Sequence, residues 1–505
     1  MYQWEVEFED SNDNTYIYDY WKNVIYNVSE CFKEVRKSIN GYDIEEIISL
    51  LKSRFSKEEI TFNYNRIKKL EDSNNIINNF KNILIKNPEN FLPKLKKEYF
   101  EKRIANARQL TIEITQGCNM RCKYCVYSGK YEYERTHSSY TKLMPFDVAR
   151  KSIDYFFSLI NSKKRTTPHD LCAIGFYGGE PLLGFELIKK CVDYIKQKKT
   201  EEKISFTITT NGTLLDDEVI DFFIRNDFRI LISLDGPKEE HDRFRVFKNN
   251  KGTFDRIWEN IIRLKKNKEF FNKNVSFAAC YSTPHDLLKI DKFFNDNFAR
   301  NSIIVSFVRE MGNTYFKNNE AKQQLKRKYK ILFQKYLDTI VDNATTSRYC
   351  DALFSLNLYK AINRDIHSLD KRMEGELKIF NISTNCFPGE RLFVDTDGAF
   401  FVCERVNQYF SIGDYINGID FEKVKKIVDL YSEFTLKNCL FCEARRFCGL
   451  CLSHHYNKNR VEYNSRCKRT RKNLRDILCT YVNLYQVNKK SFLANIYKKL
   501  DRGVY

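Results

Sequence analysis

Between positions 110 and 307 the chain alternates short apolar runs with longer amphipathic ones, and this alternation restricts the fold more than any other feature. The short runs have the length of strands and the amphipathic ones the length of helices. Such alternation predicts a parallel sheet, either as a barrel or as an open α/β fold. The predicted strands are 110–115, 172–177, 204–209, 229–234, 275–281 and 303–307, and the predicted helices are 146–160, 185–197, 217–226 and 254–266.

The flanking regions differ in pattern from this core. The N-terminal region mixes alternating strand patterns with an amphipathic helix at 41–55, and a charged connector follows it. The stretch 315–370 reads as helical, whereas 380–470 carries seven cysteines and little helical periodicity, which suggests a fold held by metal rather than by a core. We therefore divide the chain at 1–83, 84–108 (linker), 109–310, 311–379 (helical bridge), 380–470 and 471–505 (helical tail).

Length and charge limit the class of protein. The 505 residues are too many for one ordinary domain, and the net charge of +19 favours an acidic partner. The first residues have neither a basic flank nor an apolar core, and no stretch approaches the roughly 18 apolar residues of a membrane helix. We expect a cytoplasmic protein without a membrane partner.

Three of the 16 cysteines stand close together after the first predicted strand of the α/β region. Cys118, Cys122 and Cys125 have the spacing C-x3-C-x2-C. Clustered cysteines in a chain of this kind indicate metal ligands before disulfides. Three thiolates hold three irons of a [4Fe–4S] cluster and leave the fourth open, which is typical of a reactive site. The alternative is a zinc knuckle, which usually needs a fourth Cys or His nearby.

This loop resembles that of the radical S-adenosylmethionine (SAM) superfamily, in which an aromatic residue, here Tyr124, precedes the third cysteine. The resemblance implies a partial (β/α)6 TIM-like barrel. It also implies that the open iron binds the amino and carboxylate groups of SAM, and that SAM cleavage yields a 5′-deoxyadenosyl radical. The cofactor then carries the difficult chemistry, and the protein orients and shields it.

Motifs at the ends of later predicted strands fit the same family. Glycines at a strand end let the backbone approach a ligand closely, and a carboxylate can accept from an ammonium group. The family uses such a Gly-Gly-Glu-Pro motif for the SAM amino group, and Arg245 matches the position that pairs with the SAM carboxylate. The SAM contacts implied by the resemblance are Tyr124, Gly178, Gly179, Glu180, Pro181, Thr209, Asn211, Ser233, Asp235 and Arg245.

The C-terminal cysteines resemble the seven-cysteine SPASM module that follows radical SAM domains in peptide- and protein-modifying enzymes. The resemblance implies two auxiliary [4Fe–4S] clusters, and thus three in all. One would be held by Cys439, Cys442, Cys448 and Cys467, and the other by Cys386, Cys403 and Cys451. The fourth ligand of the second would be Cys350 or a substrate thiolate. Here Gly449 and Leu450 make two residues where the module usually has three.

Zinc and plain packing are the competing interpretations of the remaining cysteines. A zinc ribbon would use His454 or His455 as further ligands. The isolated thiols are expected to be small core residues: Cys31, Cys172, Cys191, Cys280 and Cys479.

The closest resemblance is to SPASM-containing maturases of cysteine-rich ribosomal peptides, because Arg135 and His137 follow the cluster loop as in that subgroup. It implies thioether crosslinks from a Cys sulfur to a backbone or side-chain carbon, with the surplus electron leaving through the auxiliary clusters. The partners would be a cysteine-rich precursor peptide with a leader and a low-potential flavodoxin or ferredoxin. Residues 1–83 would form a winged-helix-like module that binds the leader by strand addition.

Other functions remain open at this point. Within the superfamily they are a sulfatase-type maturase that makes formylglycine, and a maturase that forms C–C crosslinks or epimerises residues. Outside it, a zinc-bearing nucleic-acid-binding protein would explain the charge and the C-terminal cysteines. It would not explain the open three-cysteine loop followed by strand-end motifs, so nucleic acid is the less favoured partner.

Overall fold

The structure is a computed structural model. It describes residues 5–86, 96–308, 319–341, 347–354 and 387–487, apart from gaps at 11, 21–23, 129–130, 132–134, 138–140, 166–170, 440, 446, 449–455, 458–459 and 462–464. Cys386, Cys451, His454 and His455 lie outside the described residues, as do Gly449 and Leu450.

The N-terminal region combines a three-stranded antiparallel sheet with three helices. The strand order is β1-β2-β3, so β3 is an edge strand. Asp43 and Glu46 form a capping box at the start of the second helix. The elements are β1 (Glu5–Glu9), β2 (Thr15–Asp19), β3 (Val24–Asn27), α1 (Glu30–Ser38), α2 (Ile44–Leu51) and α3 (Lys57–Lys86). The boundary predicted at 83 therefore falls inside α3.

The centre of the molecule is a parallel sheet that begins after α4 (Lys97–Ala105). The first two strands are buried along nearly their whole length, whereas the later four carry partly exposed or exposed residues between buried ones. The six strands are β4 (Gln109–Thr115), β5 (Cys172–Gly178), β6 (Ile204–Thr210), β7 (Arg229–Ser233), β8 (Val275–Tyr281) and β9 (Ser302–Phe307). All six predicted strands are confirmed.

Helices connect these strands in chain order and confirm the α/β prediction. They are α5 (Phe146–Ile160), α6 (Phe185–Lys196), α7 (Asp217–Arg225), α8 (Lys238–His241), α9 (Phe254–Lys265), α10 (Lys268–Asn274), α11 (Leu287–Phe298) and α12 (Asn319–Val341). Both the helical bridge and the tail are described in part. No described helix has the length and apolar character needed to cross a membrane.

The C-terminal region extends the same sheet instead of standing apart from it. Its first strand pairs in parallel with β4, and three antiparallel strands follow. The elements are β10 (Arg391–Val394), β11 (Ala399–Phe401), β12 (Gly413–Asp414), β13 (Gly418–Ile419), α13 (Phe421–Asn438), β14 (Tyr456–Asn457), β15 (Arg460–Val461) and α14 (Ser465–Val487).

The prediction that 380–470 lacks helix and core is wrong. The helix α13 buries Val424, Ile427, Val428 and Tyr431, which recur at helical spacing. Leu392, Val394 and Phe400 belong to the same apolar core as the central sheet. The neighbouring cysteines drew attention to metal binding and obscured an ordinary amphipathic helix.

The N-terminal sheet has two buried faces with different partners. Ile17 packs in a small core with α1, α2 and α3. Tyr18 contacts Phe447 edge-on at 5.7 Å, and the Tyr20 hydroxyl donates to the Phe441 carbonyl at 3.3 Å. The sheet therefore covers the C-terminal segment that carries Cys442 and Cys448.

Candidate active site

The cluster loop begins where β4 ends, and it brings three thiols together. Electrostatic interaction between the thiols contributes to the raised pKa values of Cys118, Cys122 and Cys125. Burial is the largest cause, and it raises the pKa of Cys118 and of Cys122 to about 12. Without a cation these thiols stay protonated, whereas coordination to iron would stabilise the thiolates. The donor set therefore fits a metal cluster.

The loop is supported by a segment more than a hundred residues away. Arg121 N donates to Val246 O at 2.7 Å, and Lys123 N donates to Phe244 O at 2.9 Å. Met120 forms an isolated antiparallel bridge with Phe247. The segment around Arg245 thus fixes the backbone between the first and third cysteines.

The two glycines after β5 permit close packing against the start of the cluster loop. A Cβ atom on Gly179 would lie 2.1 Å from the Gly117 carbonyl oxygen, and one on Gly178 would lie 2.2 Å from that of Thr115. Gly179 N donates to Thr115 O at 2.8 Å, and Glu180 N donates to Gly117 O at 2.7 Å. We expected these glycines to let a ligand approach. The structure shows a close approach of the chain itself, and the contact of these glycines with SAM stays a prediction.

Glu180 is a fully buried carboxylate at the same edge. It accepts from the Thr210 hydroxyl and Asn211 N, both at 2.7 Å, and from Leu182 N at 3.1 Å. Burial raises the pKa of Glu180 to about 7, although these hydrogen bonds lower it. No cationic side chain of the described residues pairs with it, so a bound ammonium group would favour its ionised form. Glu180 therefore fits the amino group of SAM.

The end of β6 connects Glu180 to the first cysteine. Asn211 Nδ2 donates to Asn119 Oδ1 at 2.9 Å and lies 3.8 Å from Cys118 Sγ. Thr209 lies within β6 beside Thr210, and Pro181 opens the short 3-10 helix 181–184. Ser233 is the last residue of β7. These predicted SAM contacts all lie at or near the carboxyl edge of the sheet, where ligands of α/β folds bind.

Asp235 joins the cluster loop, β7 and β8. Its carboxylate accepts from the Tyr124 hydroxyl, from Arg245 Nε at 3.0 Å and from Cys280 N at 2.9 Å. Burial alone would raise the pKa of Asp235, but Arg245 and two histidines outweigh it, and the pKa is lowered. We predicted that Arg245 pairs with the SAM carboxylate. In this structure its Nε is paired with Asp235, and the SAM contact stays a prediction.

Cys280 packs against the small buried cluster of Tyr124, Phe244 and Val308, as expected of a core cysteine, but it also belongs to this site. Its thiol hydrogen-bonds to Tyr124 and interacts electrostatically with Asp235, Arg245 and Arg405. Burial, the largest cause, and Asp235 raise the pKa of Cys280 to about 11. Its place at the carboxyl end of a predicted parallel strand was the signal that could have identified it.

Replacing Asp235 by Asn should destabilise the protein strongly, because it leaves Arg245 buried without its counterion. We expect a loss of about 3 kcal/mol in the free energy of unfolding at pH 7. Because the folded pKa is lowered, the wild-type stabilisation is complete above the unfolded value of about 3.9 and is lost as the pH falls through the folded pKa. Urea unfolding as a function of pH measures this difference.

Asp255→Asn is the matched control for this experiment. Its carboxylate pairs with Lys238 but is 72% exposed. The expected cost is within about 0.5 kcal/mol. Equal costs for both variants would contradict the role of Asp235.

Four C-terminal cysteines converge, as the SPASM resemblance implies. Burial raises the pKa of Cys439 to about 12, and Cys442, Cys448 and Cys467 raise it further through electrostatic repulsion. Cys467 comes from α14, whereas the other three follow α13. Tertiary packing thus assembles a four-thiol set, which could hold a second cluster.

Cys403 follows β11 and is joined to the cluster loop by aromatic residues. The Tyr127 hydroxyl donates to the Glu404 carbonyl oxygen at 3.5 Å. Burial raises the pKa of Tyr127 and that of Tyr177, the latter to about 12, and negative charge on Glu404 contributes to both. Tyr177 also interacts electrostatically with Cys125. Glu404 therefore lies close to the loop of the SAM cluster.

Glu404 differs from the other carboxylates described at this edge. Glu113, Glu180 and Asp235 have no exposed surface and accept short hydrogen bonds. The Glu404 side chain is 27% exposed, and Arg405 Nε lies 3.6 Å from it. Sequence reasoning missed this residue, although its position directly after Cys403 could have indicated it.

Cys350 lies in the helical layer outside the sheet. Its thiol is 3.2 Å from Asp291 Oδ1 on α11, and Ser347 Oγ accepts from its backbone N–H at 3.0 Å. These contacts disfavour Cys350 as the fourth ligand of the cluster assigned to Cys403.

No three Cys, His, Asp or Glu side chains in the described part of the chain are placed to share one metal ion. A four-iron cluster has a different requirement, because each thiolate binds its own iron.

Comparison with known proteins identifies the class of domain that forms the centre of this chain. Residues 112–293 match the radical SAM superfamily. The chain therefore carries a radical SAM domain, the type of domain that binds SAM and an iron–sulfur cluster, and the predicted domain is confirmed.

Individual relatives match this chain over very different lengths. A cysteine-type anaerobic sulfatase-maturating enzyme of Clostridium novyi is 30% identical over 36% of this chain and 46% of its own length. The chain spans less than two thirds of each sulfatase-maturating relative it matches. The radical SAM cyclopropyl synthase TigE of Paramaledivibacter caminithermalis is 23% identical over 81% of this chain and 83% of its own length.

A solved structure, native anSMEcpe with bound AdoMet, confirms the fold. It is 20% identical, with a TM-score of 0.53, and the match covers 77% of this chain and 99% of that one. At this identity the likeness concerns architecture alone.

Proposed function

We propose that this chain is a radical SAM maturase that installs thioether crosslinks in a cysteine-rich precursor peptide. The observation that carries the proposal is the placement of Glu404. This accessible carboxylate follows a candidate ligand of an auxiliary cluster and lies beside Tyr127 and Tyr177 at the loop of the SAM cluster. A substrate there would meet a hydrogen-abstracting cofactor and a proton acceptor together.

Residues of the chain would hold the cofactors and handle the proton. Cys118, Cys122 and Cys125 would ligate the SAM cluster, and Glu180 would bind the SAM ammonium group. The bound cofactor would supply a radical that removes one hydrogen atom from a substrate carbon. Thioether formation also requires the substrate thiol to lose a proton and the crosslinked peptide to lose one electron. Glu404 would accept the proton, and the C-terminal cysteines would hold the electron-accepting clusters.

Carbon–carbon bond formation is the second candidate, because TigE matches over most of both chains and is named a cyclopropyl synthase. The sulfatase-type reaction is supported by shorter matches.

Mass spectrometry of a cysteine-rich precursor, before and after alkylation with iodoacetamide, separates these reactions. A thioether removes two hydrogens and one alkylatable thiol for each link. A C–C bond removes two hydrogens and leaves every thiol alkylatable, and formylglycine reacts with hydrazide probes. An unchanged mass with enzyme that cleaves SAM would contradict all three.

The edge strand β3 offers a test of leader recognition. Arg66 of α3 lies over Tyr26 of β3 at 5.1 Å and over Phe62 at 5.3 Å, and it donates to the Asn27 carbonyl at 3.3 Å. The Arg66 guanidinium has no carboxylate partner among the described residues. A peptide strand added at β3 would pass this cation.

Arg66→Glu should weaken leader binding about tenfold and leave peptide-free SAM cleavage unchanged. Binding of a fluorescent leader peptide, measured by anisotropy, checks this. Arg54→Glu is the control, because Arg54 lies over Phe55 and is 56% exposed. Truncation at residue 83 would be less informative, since it cuts α3 and uncovers Phe447.

A further inference from the structure

The pair Arg135 and His137, which marked the peptide-maturase subgroup in the sequence, has a structural role that the proposed reaction does not use. Both side chains are buried, although they follow a loop. Arg135 and Tyr127 contact the segment 395–404, which ends in Cys403 and Glu404, and His137 reaches it through Glu113. We call Tyr127, Arg135 and His137 the clamp residues.

His137 connects the cluster loop to β4. Its ring stacks on Tyr127 with centroids 4.0 Å apart and planes inclined by 6°. Its Nε2 lies 2.8 Å from Glu113 Oε1. The other oxygen of Glu113 accepts from Thr396 N at 3.1 Å. One buried carboxylate therefore ties His137 to the C-terminal segment.

Arg135 holds the same segment from another side. Its Nη1 lies 3.3 Å from Asp395 Oδ2, and its guanidinium lies 3.9 Å from the ring centroid of Phe401 and 5.0 Å from that of Phe393. Its Nε and Nη2 have no hydrogen-bond partner among the described residues. The Arg135 guanidinium is therefore held largely by stacking on Phe401, which lies two residues before Cys403.

Tyr127 completes the connection, because its hydroxyl donates to the Glu404 carbonyl while its ring stacks on His137. The clamp residues come two to twelve positions after Cys125, the last ligand of the SAM cluster. Arg135 and Tyr127 contact residues that flank Cys403 on both sides, and His137 supports them through Tyr127 and Glu113. The contacts therefore join the two cofactor-bearing segments.

We propose that the clamp residues are positioning residues, which set Cys403 and Glu404 relative to the SAM cluster. The proposal rests on the proposed function for the roles of Cys403 and Glu404. It requires no contact between the clamp residues and substrate or cofactor. Loss of the clamp leaves SAM cleavage intact but uncouples it from peptide modification, because Cys403 and Glu404 are displaced from the SAM cluster.

Two substitutions at His137 distinguish the contribution of its ring stack from that of its hydrogen bond. His137→Phe keeps the stack on Tyr127 and removes the hydrogen bond to Glu113, whereas His137→Gln keeps a donor and removes the stack. Lys142→Ala is the matched control, since it removes an exposed ion pair with Asp397 between the same two segments. Each variant is purified anaerobically, and its iron content is compared with that of the wild type.

Hydrogen–deuterium exchange of the peptide covering 395–404 is the first readout. His137→Phe should accelerate its exchange about tenfold, because Glu113 loses one partner, and Lys142→Ala should leave it unchanged. His137→Gln should fall between them. Equal exchange in all three variants would overturn the clamp, whether or not a peptide substrate has been found.

The ratio of crosslinked peptide to 5′-deoxyadenosine is the second readout. It should fall about tenfold in His137→Phe and recover partly in His137→Gln. Parallel loss of SAM cleavage and product would contradict a positioning role. If His137→Phe fails to fold, Tyr127→Phe replaces it, because it removes only the hydroxyl that contacts Glu404. An unchanged ratio and exchange in Tyr127→Phe would overturn the proposal. A wild-type enzyme that modifies no peptide would refute the proposed function and leave the exchange result standing.

Discussion

Cys118→Ala should abolish SAM cleavage and remove about a third of the iron. Cys118 is one of three interacting thiols at the end of β4, and two thiolates are too few to hold a cluster with one open iron. The C-terminal thiols lie on other elements, so their clusters should persist. Formation of 5′-deoxyadenosine under dithionite, together with iron and sulfide analysis, measures both effects.

Cys191→Ala is the control for this prediction. Cys191 is a buried thiol that lies on α6, where it packs in the core of the same domain. Its replacement should leave iron content and SAM cleavage unchanged. Continued deoxyadenosine formation by Cys118→Ala would refute the assignment of the loop.

Glu404→Gln should reduce peptide modification about a hundredfold while peptide-free SAM cleavage continues. Gln keeps the size of the side chain and the backbone contact with Tyr127, but it cannot accept a proton at neutral pH. A general base typically contributes between about 100- and 10,000-fold to a rate. Rates of product formation, compared with rates of peptide-free 5′-deoxyadenosine formation, test this.

Asp397→Asn is the matched control, because Asp397 belongs to the same segment and its side chain is 65% exposed. It should retain the wild-type rate. If Glu404→Gln also retained it, another group would have to accept the substrate proton.

The sequence predicted the central sheet and the cluster loop because both depend on local patterns. Buried parallel strands are continuous apolar runs, and three cysteines within eight positions need no tertiary information to be noticed. The motif at Gly178 and Gly179 was found for the same reason. The close packing of these glycines against the backbone at 115–117 could not be predicted, because it joins two distant segments.

The missed residues depend on contacts between distant parts of the chain. Glu404 and Tyr127 are separated by 277 positions, and Cys280 meets Tyr124 only through the packing of β8 beside β7. Likewise, Arg135 and His137 were recognised from a family pattern, but their partners are distant in sequence, because Asp395 directly follows β10 and Glu113 lies in β4. Periodicity and spacing carry no information about such pairs, because each partner looks ordinary in its own segment.

Iron, sulfide and zinc per chain, measured on anaerobically purified protein, test the central claim most directly. We expect about 12 irons with matching sulfide and no stoichiometric zinc, as three four-iron clusters require. About four irons with zinc at the C-terminal cysteines would keep the radical chemistry and contradict the electron path that thioether formation needs. Zinc alone would contradict the assignment of the cluster loop as well.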